Sequence, residues 1–242
     1  MVINLPRKRR PPQLTRVTQA YFKTYMATVW LQGEHIALIA QTGTGKTTLA
    51  SKILSIRSYP VVLAVKRRDE SLLLFEQEGY KTISKWPPER AFHKIVLWFK
   101  PDSLSDDLAA QAKRIHRAFN DMYLAGGYAI YLDEVGYLSG TLRLGRDIGV
   151  LMSQGRSNNL SIIAGMQRPS SVVANVPKET FTQARHILIG KYTDELEQET
   201  SARIAGITRQ NMLYYQENLL QYAGGNTDFI YVGKHHIFIV TP

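Results

Sequence analysis

Cysteine is absent from the 242 residues of this chain. Disulfides and cysteine-based zinc sites are thereby excluded, and a reducing compartment is compatible with the composition. Long apolar runs are also missing, so no segment reaches the length of a membrane span. The charged N-terminus is not followed by an apolar stretch, so no secretory signal is expected. The six histidines, His35, His93, His116, His186, His235 and His236, show no metal-ligand spacing. His235 and His236 read as the edge of a hairpin. There is no internal repeat.

Acid is missing from residues 1–33, which carry Arg7, Lys8, Arg9, Arg10, Arg16 and Lys23. That stretch holds +6 of a net charge of +10, leaving +4 for the rest of the chain. Residues 1–12 end in Arg-Arg-Pro-Pro and read as a flexible basic arm. Such an arm suits a polyanion, whether DNA, RNA or an acidic protein surface. It also suits a merely solubilising tail. If it binds DNA, Arg7, Lys8, Arg9 and Arg10 are the contact candidates. The length suits one sizeable core rather than two domains. The expected organisation is the arm over 1–12, a helical extension over 13–34 and one domain over 35–242.

What the chain does contain is concentrated in residues 35–48, His-Ile-Ala-Leu-Ile-Ala-Gln-Thr-Gly-Thr-Gly-Lys-Thr-Thr. An apolar run, a Gly-rich turn and a helix start in that order form a P-loop, which cradles nucleotide phosphates. Gly43 and Gly45 allow a tight turn with N–H groups pointing inward. The helix that starts there favours an anion at its N-terminus. Gln41, Thr42, Gly43, Thr44, Gly45, Lys46, Thr47 and Thr48 are the expected nucleotide contacts. Lys46 can reach the β- and γ-phosphates of ATP, and the Thr47 hydroxyl can ligate Mg²⁺. Ala40 stands where such loops usually carry their first glycine. A methyl there is tolerated if the backbone keeps a negative φ.

A second apolar run, 129–132, ends at Asp133-Glu134. Open α/β sheets place their ligands at such strand ends. Asp133 would hold Mg²⁺ through water, and Glu134 would orient and activate an attacking water. By itself an Asp-Glu pair is more often a solvated strand end; the P-loop upstream favours the chemical reading.

Between these anchors, strands are expected over 36–40, 61–65, 94–99, 160–166 and 186–190, and helices over 14–31, 69–79 and 194–204. A further helix buries Leu108, Ala112, Ile115, Phe119 and Met122. Ser103 or Ser105 would cap it, with Asp106 and Asp107 in its first turn. The helix over 14–31 reads as an adapter on the core or as a subunit contact. Residues 139–155 read as a polar, partly helical connector. Residues 228–232 and 236–240 read as a β-hairpin. Strands alternating with helices imply an α/β fold with a mainly parallel sheet. Lys66-Arg67-Arg68 form a basic cluster at a strand end, facing phosphate or DNA in one reading and solvent in the other.

Residues 153–170, Ser-Gln-Gly-Arg-Ser-Asn-Asn-Leu-Ser-Ile-Ile-Ala-Gly-Met-Gln-Arg-Pro-Ser, resemble a known signature. The order P-loop, Asp-Glu, Arg, Gln-Arg-Pro is similar to that of the FtsK–HerA superfamily of DNA-pumping ATPases. The resemblance spans about residues 36–206. It implies a RecA-like P-loop NTPase of the additional-strand, catalytic-Glu type. It places a polar sensor at Gln167, between the acidic pair and the γ-phosphate. It places an arginine finger at Arg156, acting on the ATP of a neighbouring subunit, with Arg143, Arg146 and Arg185 as competitors for that role. The chain looks most like the minimal members that viruses use to package double-stranded DNA into capsids. The implied cofactors are ATP and Mg²⁺. The implied partners are double-stranded DNA, further copies in a hexameric ring, and a capsid vertex or membrane-pore protein. The implied location is the cytoplasm, that of the host for a virus, with association to the virion.

Other readings fit parts of this pattern. A plasmid or conjugative ATPase of the same superfamily fits the motifs. A P-loop nucleotide kinase fits the size, although Glu134 with Gln167 favours water as acceptor and no Arg-rich lid is evident. A non-motor ATP switch would use the basic arm for a protein partner. A GTPase is disfavoured because no Asn-Lys-x-Asp motif occurs.

Overall fold

The structure, a computed structural model, describes residues 11–66, 70–88, 93–99, 108–169, 175–223 and 226–242. The strands are β1 (Arg16–Thr18), β2 (His35–Ile39), β3 (Pro60–Ala64), β4 (Lys81–Ile83), β5 (Ile95–Trp98), β6 (Ala129–Leu132), β7 (Ser161–Met166), β8 (Ala184–Ile189), β9 (Tyr222–Ala223), β10 (Asn226–Thr227), β11 (Phe229–Val232) and β12 (Ile237–Thr241). The α-helices are α1 (Gln19–Val29), α2 (Lys46–Leu54), α3 (Leu72–Gln77), α4 (Leu108–Ala125), α5 (Gly145–Gln154), α6 (Glu179–Thr182), α7 (Glu195–Ala205) and α8 (Arg209–Tyr214). Ten strands form one sheet in the order β1-β12-β11-β8-β2-β7-β6-β3-β5-β4. All its pairings are parallel except β11 with β8 and β11 with β12.

The central strands are continuous apolar runs because both faces of the sheet are covered. Alternate residues serve opposite layers. Ala37, Ile39, Leu63, Ile130, Leu132 and Ile162 pack with Ile115, Phe119 and Met122 of α4 and Ile148, Leu151 and Met152 of α5. Ile36, Leu38, Val62, Tyr131 and Ile163 pack with Phe22 and Met26 of α1, Leu49 and Ile53 of α2, and Phe75 of α3.

Several local expectations are revised. Residues 14–31 are not one helix, because Arg16–Thr18 pair in parallel with Ile239–Thr241 of β12. Thr18 then caps α1 by accepting the Tyr21 N–H. A strand at an edge competes with helix wherever a partner strand is available, and that partner lies over two hundred residues away. Leu108 lies 43% exposed rather than in the buried stripe of α4, where Ala118 replaces it. The connector over 139–155 is largely the amphipathic helix α5, preceded by a π-helical turn (Tyr137–Thr141). Strand β4, helix α8 and the β9–β10 pair were not expected. The capping candidates Ser103, Ser105, Asp106 and Asp107 lie outside the described residues.

Candidate nucleotide site

Neighbouring strands β2, β7, β6 and β3 all run in one direction, so their C-terminal ends form one edge. The P-loop leaves β2, Gln167 leaves β7, Asp133 and Glu134 leave β6, and Lys66 follows β3. Parallel topology with adjacent strands therefore gathers groups that are far apart in sequence.

The loop turns where its glycines permit. Gly43 and Gly45 have φ of 75° and 85°, values that L side chains rarely adopt. Ala40 is not among the described residues with positive φ. Its methyl has room because β8, the strand beside β2, is followed by Gly190, where a Cβ would stand 2.5 Å from that of Ala40. The Lys46 ammonium is folded back on the loop, donating to the carbonyls of Ala40 at 2.7 Å and Gln41 at 2.9 Å. Burial lowers its pKa, which Asp133 and Glu134 partly oppose.

Asp133 Oδ1 lies 3.5 Å from the Thr47 hydroxyl and also accepts from the Tyr131 phenol. Burial, followed by the charge of Asp133, holds that phenol well above its ordinary pKa, so it stays a neutral donor. Gln167 Nε2 donates to Glu134 Oε1 at 2.6 Å, and the Gln167 carbonyl is pinned by the Tyr192 hydroxyl at 2.6 Å. Lys66 Nζ stands 2.9 Å from Asp133 Oδ2 and 3.3 Å from Glu134 Oε1. A cleft of about 250 Å³ joins Gln41 and Thr42 of the loop to Gln167, Arg168, Tyr192 and Asp194.

Thr47 and Asp133 are an all-oxygen pair at one point, the donor chemistry that Mg²⁺ prefers. These residues fit that ion. The P-loop donors fit a polyphosphate beside it.

No protein-family model matches the sequence, and no curated protein does. Solved structures do match. The genome packaging NTPase B204 of Sulfolobus turreted icosahedral virus 2, in complex with AMPPCP, superposes with a TM-score of 0.62, covering 86% of this chain and 97% of B204 at 15% identity. VirB4 of Thermoanaerobacter pseudethanolicus gives a TM-score of 0.62 over 86% of this chain and 88% of its own, at 8% identity. The cytoplasmic domain of the Thermomonospora curvata type VII secretion ATPase EccC gives 0.53 at 13% identity, covering 86% of this chain and 25% of that one. The chain shares the fold of these NTPases and ATPases.

Within this fold the arginines separate from the acidic pair. Arg156 lies in a short 3₁₀ turn (Gly155–Asn158) before β7, exposed. Its backbone packs on Gly33, where a Cβ would stand 2.9 Å from the Arg156 carbonyl. It is therefore at the opposite end of β7 from Gln167, about 17 Å away along the strand alone at roughly 3.3 Å per residue. Arg185 is at that same far end, paired with Glu34 at 2.9 Å. Arg143 and Arg146 are exposed beside and on α5. None of these four is brought to the acidic pair. Arg7, Lys8, Arg9 and Arg10, and Arg67 and Arg68 of the basic cluster, lie outside the described residues.

Sequence reasoning missed the roles of Tyr131 and Tyr192 at this edge. Tyr131 reads as one more apolar residue of β6, and only its hydrogen bond to Asp133 shows the hydroxyl at work. Lys66 was legible as basic and as a strand end. Its placement against Asp133 depends on β3 lying beside β6.

Proposed function

We propose that this chain is an ATP-driven double-stranded DNA translocase that acts as an oligomeric ring and packages a viral genome. The observation that carries the reading is Glu134 held by Gln167 at 2.6 Å, one residue from Asp133, which meets Thr47 of the P-loop. A carboxylate held by an amide, beside a phosphate cradle, is arranged to orient and deprotonate water. Lys46 would swing from the Ala40 and Gln41 carbonyls to the β- and γ-phosphates. Thr47 and Asp133 would hold Mg²⁺, which when bound supplies neutralisation of phosphate charge. Gln167 would report the state of the phosphate to β7. The likeness to B204, a genome packaging NTPase, supports the packaging role. A plasmid or conjugative ATPase of the same fold stays the second reading, supported by a TM-score of 0.50 to the pCW3 conjugation coupling protein TcpA.

Arg156 cannot reach its own site, so a role in hydrolysis requires a neighbouring copy. In a ring it would supply positive charge to the transition state next door. The basic arm, with Arg7, Lys8, Arg9 and Arg10, would contact DNA phosphates without sequence preference.

The deciding experiment is ATP hydrolysis with Mg²⁺, with and without duplex DNA, beside a mass measurement in each state. Duplex DNA is expected to raise turnover, with an effect that falls steeply with salt, and the mass to be that of an oligomer. DNA-independent turnover by a monomer would remove the motor. Ring geometry is tested by mixing: Arg156→Ala and Lys46→Ala proteins, each inactive, should recover partial activity once subunit exchange has been shown. No recovery under exchange rejects Arg156 as the finger.

A further inference from the structure

Lys66 stands apart from the other cations of the site. Its Nζ contacts both Asp133 at 2.9 Å and Glu134 at 3.3 Å. Those two carboxylates are 13% and 16% exposed, and Lys66 itself is 43% exposed. Its backbone is pinned, because the Trp98 indole N–H donates to the Lys66 carbonyl at 2.8 Å. The backbone that carries the side chain is therefore anchored, and the side chain itself is partly open to solvent. Lys46 is 7% exposed and its ammonium is bonded to two loop carbonyls, so it does not hold these carboxylates.

Two adjacent carboxylates in a partly buried cleft repel each other, and a cation between them relieves that repulsion. An ammonium is a compact point charge on a flexible stem, and it exchanges partners more readily than a bidentate guanidinium. Any divalent ion held by Thr47 and Asp133 would share with Lys66 the Asp133 carboxylate, whose Oδ2 the ammonium already contacts. Two cations there repel, and each must weaken the other's hold by the same factor.

We propose that Lys66 competes with the divalent metal for Asp133 and so sets the metal concentration at which the site loads. Lys66 is then a counter-ion that keeps Asp133 and Glu134 neutralised and in place, and metal loading expels its ammonium. This rests on the nucleotide-site reading in one respect only, that Asp133 is a metal ligand.

The test is Mn²⁺ binding to the nucleotide-free protein, read by the electron paramagnetic resonance of free Mn²⁺. Lys66→Met should bind Mn²⁺ about tenfold more tightly than wild type. Lys66→Arg, which restores the charge, should bring the affinity back towards wild type. Mg²⁺ should raise the melting temperature of Lys66→Met more than that of wild type. Mn²⁺ affinity unchanged or weakened in Lys66→Met would overturn the proposal. Weaker ATP binding in Lys66→Met with unaltered Mn²⁺ affinity would overturn it too, and would make Lys66 a phosphate ligand instead. Asp133→Asn serves as control: Mn²⁺ binding indifferent to it would place the metal elsewhere and remove both the proposal and the metal role of Asp133. Tighter Mn²⁺ binding in Lys66→Met without ATP turnover by wild type would leave the competition standing and refute the ATPase.

Discussion

The strands that end at Asp133 and the P-loop begin beside another acid, Glu34, and the two ends treat their carboxylates differently. At the N-terminal end Glu34 is 3% exposed. It takes Arg185 Nε at 2.9 Å, His186 Nε2 at 3.2 Å and the Leu31 N–H at 3.0 Å. Its Arg185 and His186 partners come from β8 and are fixed by the sheet. His186 in turn meets the Tyr231 hydroxyl at 2.8 Å. At the C-terminal end Asp133 and Glu134 share one half-exposed lysine, and their other partners are a hydroxyl, a phenol and an amide. A buried acid saturated by fixed partners holds the chain in place. Acids whose counter-charge can leave are able to receive a metal or activate water. Composition alone does not separate these cases; burial and exchangeability of the partner do.

Substitution at the two ends should break different properties. The largest effect is expected at Lys46: Lys46→Ala should lower turnover by about 10³-fold or more, because phosphate charge loses its side-chain counterpart. Steady-state hydrolysis by the folded variant measures it, and full activity would remove the nucleotide assignment. At the far end, Glu34→Ala leaves Arg185 and His186 without their acid. It should cost about 3 kcal/mol in urea unfolding, the scale of breaking a buried ion pair, while turnover per folded molecule stays near wild type. Glu134→Gln should do the converse, slowing turnover by about 10²-fold with ATP binding and urea midpoint close to wild type. If Glu34→Ala instead abolishes turnover in folded protein, the contrast between the ends collapses.

A smaller effect concerns pH. His35 accepts the Ile162 N–H through Nδ1 at 3.1 Å. Burial, aided by the charge of Arg156 and only partly opposed by the Met152 backbone, lowers its pKa to about 4. Burial also lowers that of His186. Between about pH 4 and pH 6.5 the unfolded chain binds a proton at position 35 that the folded chain does not. Stability contributed there is therefore complete above pH 6.5 and falls as pH drops through that window. The slope is at most about 1.4 kcal/mol per pH unit for one proton. His35→Asn keeps an acceptor for Ile162 and should flatten the fall in urea midpoint. An unchanged slope would assign it to other groups.

Features with a local signal could be read from the residues alone. Gly43 and Gly45 before Lys46 specify a turn and a helix start within a few residues, and the structure has both. The apolar runs that became β3, β6 and β7 were readable because strands buried on both faces need no alternation. The C-terminal hairpin was readable from the two short apolar runs over 228–232 and 236–240, and β11 and β12 do pair antiparallel. Features that depend on strand order emerged only in the assembled sheet. Residues 16–18 became a strand because β12 offered an open edge. Lys66 met Asp133 because β3 lies beside β6, and Tyr131 proved to be a donor because its ring runs under Asp133. Arg156 and Gln167, eleven positions apart, were read as one motif, and β7 holds them at opposite ends. Local turns follow from short-range sterics that each residue carries with it. Which strand ends become neighbours follows from how the whole sheet buries its two faces, and no single stretch of sequence encodes that.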